Sequence, residues 1–170
     1  MIEFPIESER LVIRPLRVDD AVDLRQDEEW IREKVDRFER DGGMSLWAAV
    51  EKKSGRAVAL AGLQWEEIEG RRELDIGCVV APDARLRGYG TEASRAVLHA
   101  ASDAGYERIT AMTLPGNAAA MHVLAKLGFQ RRGETTSDGR AYVFFVRGGP
   151  GTPAGPRASS EAPAHPAARS

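Results

Sequence analysis

The 170-residue chain has a single cysteine, Cys78. One thiol cannot close an internal disulfide, so a reducing compartment is expected. Long apolar runs are missing as well. No stretch approaches the roughly 18 residues that a membrane helix needs. The first residues, MIEFPIESER, carry acids where a secretory leader carries bases and an apolar core. The reading is therefore a cytoplasmic protein with no membrane partner. Neither charge is in large excess: 24 basic and 26 acidic residues leave a formal net charge of −2. That balance argues against a general nucleic-acid binder. No internal repeat is present. What remains, 42% hydrophobic and 29% charged residues, is ordinary globular composition. The length suits one domain with a good core rather than two.

Residues 148–170, GGPGTPAGPRASSEAPAHPAARS, differ from the rest. They hold five of the nine prolines and no apolar residue larger than alanine. Such a segment cannot bury enough surface to offset its ordering entropy, so a disordered tail is expected, with His165 idle in it. A docking segment is the alternative. The folded domain is expected to span residues 1–147.

Within it, RLVIRPL (10–16) predicts a strand that ends near Pro15. Residues 19–40 are polar and place Ile31, Val35 and Phe38 at helical spacing, which predicts one or two helices. SLWAAVEKK (45–53) and AVALAGLQW (57–65) predict strands around the turn KSGR, and ELDIGCVV (73–80) predicts a third. A helix is expected over about 90–104, with Ala93, Ala96, Val97, Ala100 and Ala104 on one face and Gly105 as its stop. RITAMTL (108–114) predicts a strand. Asn117 caps a helix that ends at Gly128. FQRRGE and RAYVFFV predict a hairpin around SDGR. The class is mixed α/β: a strand, helices, an antiparallel meander, helix, strand, helix, hairpin. It is not the steady alternation of a doubly wound fold.

The stretch ARLRGYGTEA (84–93) carries the functional signal. Two glycines, Gly88 and Gly90, sit at the start of a predicted helix, with Arg85 and Arg87 beside them. A helix start offers N–H groups without intrahelical partners and a positive dipole end. Glycines let backbone approach an anion closely. The stretch suits a phosphate or pyrophosphate; a plain strand-to-helix turn with two solvated arginines is the alternative. The P-loop pattern is absent, because no lysine followed by Ser or Thr comes after the second glycine. Gly88-Tyr-Gly90-Thr-Glu-Ala93 formally fits the dinucleotide fingerprint G-x-G-x-x-A. Its context does not: residues 81–87 intervene after the strand, and the next strand ends in Met112, Thr113 and Leu114 without an acid.

From Arg85 to Gly90 the chain also has the form [RQ]-x-x-G-x-[GA], which resembles the pyrophosphate loop of the GNAT superfamily of N-acetyltransferases. SERLVIRPLRVDDA, DIGCVVAPDARLRGYGTEA and LPGNAAAMHVLAKLGFQRRGE resemble, in that order, the RimJ/RimL-type branch, the ribosomal-protein-alanine acetyltransferase-like one. The resemblance covers most of residues 8–147. It implies a single GNAT-like α/β domain (an α+β mixed sheet). The central sheet would be mostly antiparallel, splayed at the cofactor site and flanked by helices. It implies an acetyltransferase that uses acetyl-CoA as cosubstrate and no metal. The acetyl group would pass to a primary amine, on a peptide N-terminus or a small molecule, by direct attack in a ternary complex. A monomer or a homodimer would serve.

The resemblance also implies roles. Cys78, Val79 and Val80 would pair by their backbone with the pantetheine arm. The pyrophosphate would lie among Arg85 and the amides of Leu86, Arg87, Gly88, Tyr89, Gly90 and Thr91. Asn117 would touch the cofactor while also capping its helix. Asp75 stands where this branch often has Glu. Strand alternation puts Glu73, Asp75, Gly77 and Val79 on one face. Attack needs a deprotonated amine, so Asp75 first and Glu73 second are the candidate general bases, acting directly or through water. Solvated carboxylates, or pairs with Arg71 or Arg72, are the alternative. A backbone N–H near Val79 would polarise the carbonyl. The general acid is a gap. Relatives carry Ser or Tyr where this chain has Ala120 and Leu124, which leaves Tyr142, His122 or direct departure of the thiolate into water. The gap keeps open a CoA-binding module with weak or no turnover, and more remotely a nucleotide-binding domain. Cys78 reads as packing, not as a nucleophile. The acceptor segment, residues 17–44, looks short for the branch. Asp27, Glu28 and Glu29 are either an attraction for a cationic amine or ordinary helix-start acids. Trp30, Trp47 and Trp65 are either pocket or core.

Overall fold

A computed structural model of the chain describes residues 1–149. Two short strands, β1 (Ile6–Glu7) and β2 (Leu11–Arg14), come first. β2 stops before Pro15, which has no N–H to give to a ladder. The polar segment after it forms two helices, α1 (Asp20–Leu24) and α2 (Glu28–Arg40). Asp27 caps α2 by accepting from the Trp30 N–H at 3.0 Å. Glu28 and Glu29 lie in its first turn, and Arg37 and Arg40 in its last, as the helix dipole favours. These three acids are thus helix-start residues.

The meander follows as β3 (Leu46–Glu51), β4 (Ala57–Ile68) and β5 (Arg71–Val80). After a 3-10 turn at Pro82–Ala84 come α3 (Tyr89–Asp103), β6 (Ile109–Thr113) and α4 (Ala118–Lys126). The hairpin of β7 (Gln130–Ser137) and β8 (Arg140–Arg147) closes the domain. Its turn residues Asp138 and Gly139 both have positive φ, as a two-residue hairpin loop demands. The expected element order is present throughout. β1 is the addition: two residues are too few for periodicity to announce.

Among the described residues eight strands join one mixed sheet in the order β1-β2-β3-β4-β5-β6-β8-β7. Side-chain alternation divides its two faces. On one face Leu11, Ile13, Trp47, Ala61 and Ile76 pack with Ala93, Val97 and Ala101 of α3. On the other, Leu46, Ala48 and Leu60 pack with Leu24 of α1 and Ile31 of α2. A smaller cluster of Ile68, Phe144 and Val146 lies further along. Trp47 is fully buried and donates from Nε1 to the Gly43 carbonyl at 3.0 Å. Trp65 packs on the core under the Arg72 guanidinium, and Trp30 packs at the second cluster beside Lys34.

Among the described residues no helix is long and apolar enough to cross a membrane. Gly148 still touches the domain: a Cβ there would lie 2.9 Å from the Glu107 carbonyl carbon. The rest of the expected tail, from Pro150 onward and with His165, lies outside the described residues.

Gly62 lets β3 and β4 meet. It is paired with Leu46, and a Cβ on it would collide with the Ser45 carbonyl oxygen and come within 2.9 Å of the Leu46 Cα. Both obstacles are backbone and cannot rotate away. Gly62→Ala is therefore expected to lower unfolding stability in urea by about 1–3 kcal/mol. An unchanged midpoint would show that the two strands can separate at no cost.

Candidate active site

β6 runs parallel to β5 and pairs with it at one register position, Asp75 with Thr110. On its far side β6 pairs with β8 along its whole length. Beyond the Asp75–Thr110 position the two strands part. Ile76, Cys78 and Val80 of β5 form one wall of a cleft of about 700 Å³, and Ala111, Met112 and Thr113 of β6 form another. The start of α3 and one side of α4 complete it. The Cys78 side chain belongs to this wall, which corrects its reading as packing: Cys78 is exposed. Its Sγ lies 3.8 Å from the Gly90 carbonyl. Desolvation by the surrounding protein pushes the thiol up from its ordinary value, with the Ser94 hydroxyl acting the other way, so the thiolate is disfavoured. Val79 turns its side chain to the opposite face and the second cluster. It can offer the cleft only backbone.

At the mouth lies the glycine stretch. Gly88, at φ +80°, is the N-cap of α3, and no side chain caps that helix. Its first amides are therefore available to an anion. Gly90 allows close packing of helix on strand, since a Cβ would come within 3.0 Å of Val80 Cγ2. Arg85, Leu86, Gly88, Gly90 and Thr91 line the cleft. Arg87 and Tyr89 do not. The Arg87 guanidinium lies over the Tyr89 ring and 3.7 Å from Glu51. Tyr89 is buried and donates its hydroxyl to Glu51. These two residues can serve an anion through their amides, with their side chains anchoring the loop.

A second anchor comes from the other end of the chain. Glu92 of α3 accepts from the Ser8 hydroxyl at 2.7 Å, from the Arg10 backbone N–H at 2.7 Å and from Arg10 Nε at 2.6 Å. Burial alone would raise the Glu92 pKa. The Arg10 amide, the Ser8 hydroxyl and the Arg10 guanidinium outweigh it and hold the carboxyl below its ordinary value. Arg10 also donates from Nη1 to the Arg87 carbonyl at 3.0 Å and lies over the Tyr89 ring.

Asn117 lines the cleft and caps α4, its Oδ1 accepting from the Ala120 N–H at 3.1 Å. Ala120 and Leu124 line the cleft too, so no hydroxyl stands at either place. Tyr142 and His122 are not among the lining residues. The hydroxyls in the wall are those of Thr91, Ser94 and Thr113.

Glu73 and Asp75 sit on the sheet face opposite Ile76 and Cys78. Arg108 holds both oxygens of the buried Glu73 carboxylate, Nη2 to Oε1 at 2.9 Å and Nε to Oε2 at 3.0 Å. That bidentate pair gives Glu73 a structural task. Asp75 is at the apex where the strands part. It is buried, and Oδ1 accepts from Thr110 Oγ1 at 2.9 Å. Desolvation pushes its pKa up from 3.8 to about 7; the Thr110 hydrogen bond and Arg37 oppose the shift, while Glu66 and Glu73 add to it.

The Acetyltransferase (GNAT) domain model matches residues 10–130. The chain belongs to this GNAT acetyltransferase family. Protein YkkB of Bacillus subtilis is 33% identical over 107 residues, 62% of either chain, so this chain spans under two thirds of that curated relative's length. A GNAT-family acetyltransferase from Bacillus anthracis superposes with a TM-score of 0.68 at 20% identity, covering 84% of this chain and 97% of its own. RimJ of Mycobacterium smegmatis, in complex with CoA-disulfide, gives 0.64 at 20% identity over 81% of each chain.

The splayed GNAT sheet thus stands as expected, with a glycine-rich helix start at its cleft. Three contributions went unassigned in the sequence: Thr110 against Asp75, the Arg10–Glu92 clamp, and Glu51 beneath Tyr89. Arg10 and Glu92 both lie within the family-like segments, but they are 82 residues apart, and no spacing rule links them. Asp75 yields a stability test. Its folded pKa of about 7 exceeds the ordinary 3.8, so between those values the folded chain binds the proton more tightly. Stability then falls as pH rises through this window and stays low above it. Asparagine is neutral throughout and can still accept from Thr110. Asp75→Asn is expected to raise the thermal midpoint at pH 8 and to leave it near wild type at pH 4. An equal effect at both pH values would place the Asp75 pKa in the ordinary range.

Proposed function

We propose that this GNAT domain moves acetyl from acetyl-CoA to a primary amine, on a peptide N-terminus or a small molecule, by direct attack in a ternary complex. One observation carries the reading: the cleft opened between β5 and β6 has an uncapped, glycine-rich helix start at its mouth, and on the opposite sheet face, behind the point where the strands part, stands a carboxyl group with a pKa of about 7. The residues present fit acetyl-CoA. A volume of about 700 Å³ is within the range of cofactor sites. The α3 amides and Arg85 suit the pyrophosphate. Among the described residues the β5 edge facing β6 has no strand partner beyond Asp75, which leaves backbone groups of Cys78 to Val80 for the pantetheine arm. The cosubstrate supplies an activated thioester carbonyl.

The chain's own residues then have distinct tasks. A backbone N–H near Val79 stabilises negative charge on the carbonyl oxygen. Asp75 takes the amine proton through water, since its side chain lies on the opposite face from the cleft wall. A base with a pKa near 7 is well matched to that task at neutral pH. Glu73, engaged by Arg108, is left out. Ala120 and Leu124 in the wall offer no proton, so the leaving sulfur of a bound cosubstrate would have to be met by water. Those two residues also favour a second reading, a CoA-binding module with little turnover. Release of free thiol from acetyl-CoA over an amine panel separates the two.

Gly88→Asp tests the phosphate loop. An aspartate there is strained at φ +80° and sets a carboxylate where an anion is to bind. CoA at 100 times Kd should stabilise wild type by roughly 2.7 kcal/mol, and the folded variant by almost nothing. Equal stabilisation of both would remove the phosphate-loop assignment. Asp75→Asn tests the base: kcat should drop while KM for acetyl-CoA stays near wild type, and the loss should shrink as pH rises and free amine becomes abundant. A pH–rate profile identical to wild type would exclude Asp75 from proton transfer.

A further inference from the structure

Leu86 bears two costs at once. Its φ is +60°, a left-handed backbone region that a γ-branched residue rarely occupies. The residue is also fully exposed, although it lines the cleft. The neighbours hold the strain in place. The Ala84 N–H donates to the Ala81 carbonyl at 2.9 Å on one side. Arg10 Nη1 holds the Arg87 carbonyl at 3.0 Å on the other. Glycine at position 86 would relieve the backbone, and a polar residue would relieve the exposure. Neither cost is offset within the domain. A strained residue kept in place by its surroundings at a ligand cleft is a pointer to function.

We propose that the Leu86 side chain packs on the adenine base of the cosubstrate and sets the preference for a nucleotide-bearing acyl donor. The inference rests on the acetyl-CoA reading of the cleft. The cleft lining includes the apolar Ile76, Val123 and Leu127, which suit the pantetheine arm. The helix start takes the phosphates. With the phosphates at the helix start, the adenine base would be the one flat apolar surface of the molecule within reach of Leu86, which lines the cleft and is exposed. Contact would cover a leucine that water otherwise surrounds, a favourable exchange that grows with the area removed from water.

Calorimetric titration with CoA, with 4′-phosphopantetheine, which lacks the adenosine together with its 5′- and 3′-phosphates, and with inorganic pyrophosphate, which reports the phosphate site alone and should bind Leu86→Gly like wild type, tests this on the full chain. Leu86→Gly is expected to weaken CoA binding about five-fold and to leave 4′-phosphopantetheine binding unchanged. Its ligand-free thermal midpoint should rise, since glycine tolerates the left-handed backbone. Leu86→Asn, which tolerates that backbone without adding glycine's freedom, should show the same selective loss, and Leu86→Met should bind CoA like wild type. A purely structural role would weaken pyrophosphate or 4′-phosphopantetheine together with CoA. Such parallel loss overturns the proposal, as does wild-type affinity for CoA in both Leu86→Gly and Leu86→Asn. Failure of wild type itself to bind CoA overturns the acetyl-CoA reading, and the Leu86 assignment with it.

Discussion

The single parallel pairing of Asp75 with Thr110 is the constraint on which the site depends. β6 is fully committed to β8 and meets β5 at one position only. Were the two strands paired along their length, Ile76, Cys78 and Val80 would back onto a closed sheet, and no cleft would exist between them. The same junction buries the Asp75 carboxyl against a neutral hydroxyl instead of a cation. Glu73, two residues earlier on the same face, meets Arg108 and forms an ordinary buried pair. The contrast has a plain physical origin. Glu73 has a guanidinium as its partner, whereas the Asp75 carboxyl, given a hydroxyl and little water, has its charge disfavoured and titrates near neutrality.

The loop at the cleft mouth is held from both ends of the chain's early sequence. Arg10, at the foot of β2, engages Glu92 and the Arg87 carbonyl. Glu51, at the end of β3, engages Tyr89 and Arg87. The Arg87 and Tyr89 side chains are thus turned into anchors, while Arg85, Gly88 and Gly90 line the cleft. A backbone anion site needs that division of labour. Amides can bind phosphate oxygens only if the loop cannot rearrange around them, and side chains that fill the space would exclude the ligand. The left-handed backbone at Leu86 persists under the same restraint.

Much of this arrangement was legible in the residues. The alternation of Leu11, Ile13 and of Ala59, Ala61, Leu63 announced strands. Asn117 announced the start of α4, Gly105 the end of α3, and SDGR the hairpin turn. The form Arg85-Leu-Arg-Gly88-Tyr-Gly90 announced both the family and the cleft mouth. These signals are local: they depend on period, on a cap, or on a backbone angle that few residues tolerate. Other features were not legible. Arg85 and Arg87 look equivalent in the chain, yet one lines the cleft and the other turns to Glu51. Cys78 looked like packing and proved to be wall. Asp75 and Glu73, the first and second candidate bases on one strand face, have different partners.

By itself, then, the sequence determined the order and type of the elements, the acetyltransferase family, and the stretch that offers bare backbone at a helix start. Period-2 and period-3.6 burial and glycine conformation are written in neighbouring residues. The tertiary structure alone decided where β5 and β6 part, which carboxylate receives a cation and which a hydroxyl, and what holds the loop. Those outcomes turn on groups 35 to 82 residues apart. Residues at such separations meet only when the sheet has assembled, and their charges acquire their energies only from the burial that assembly brings.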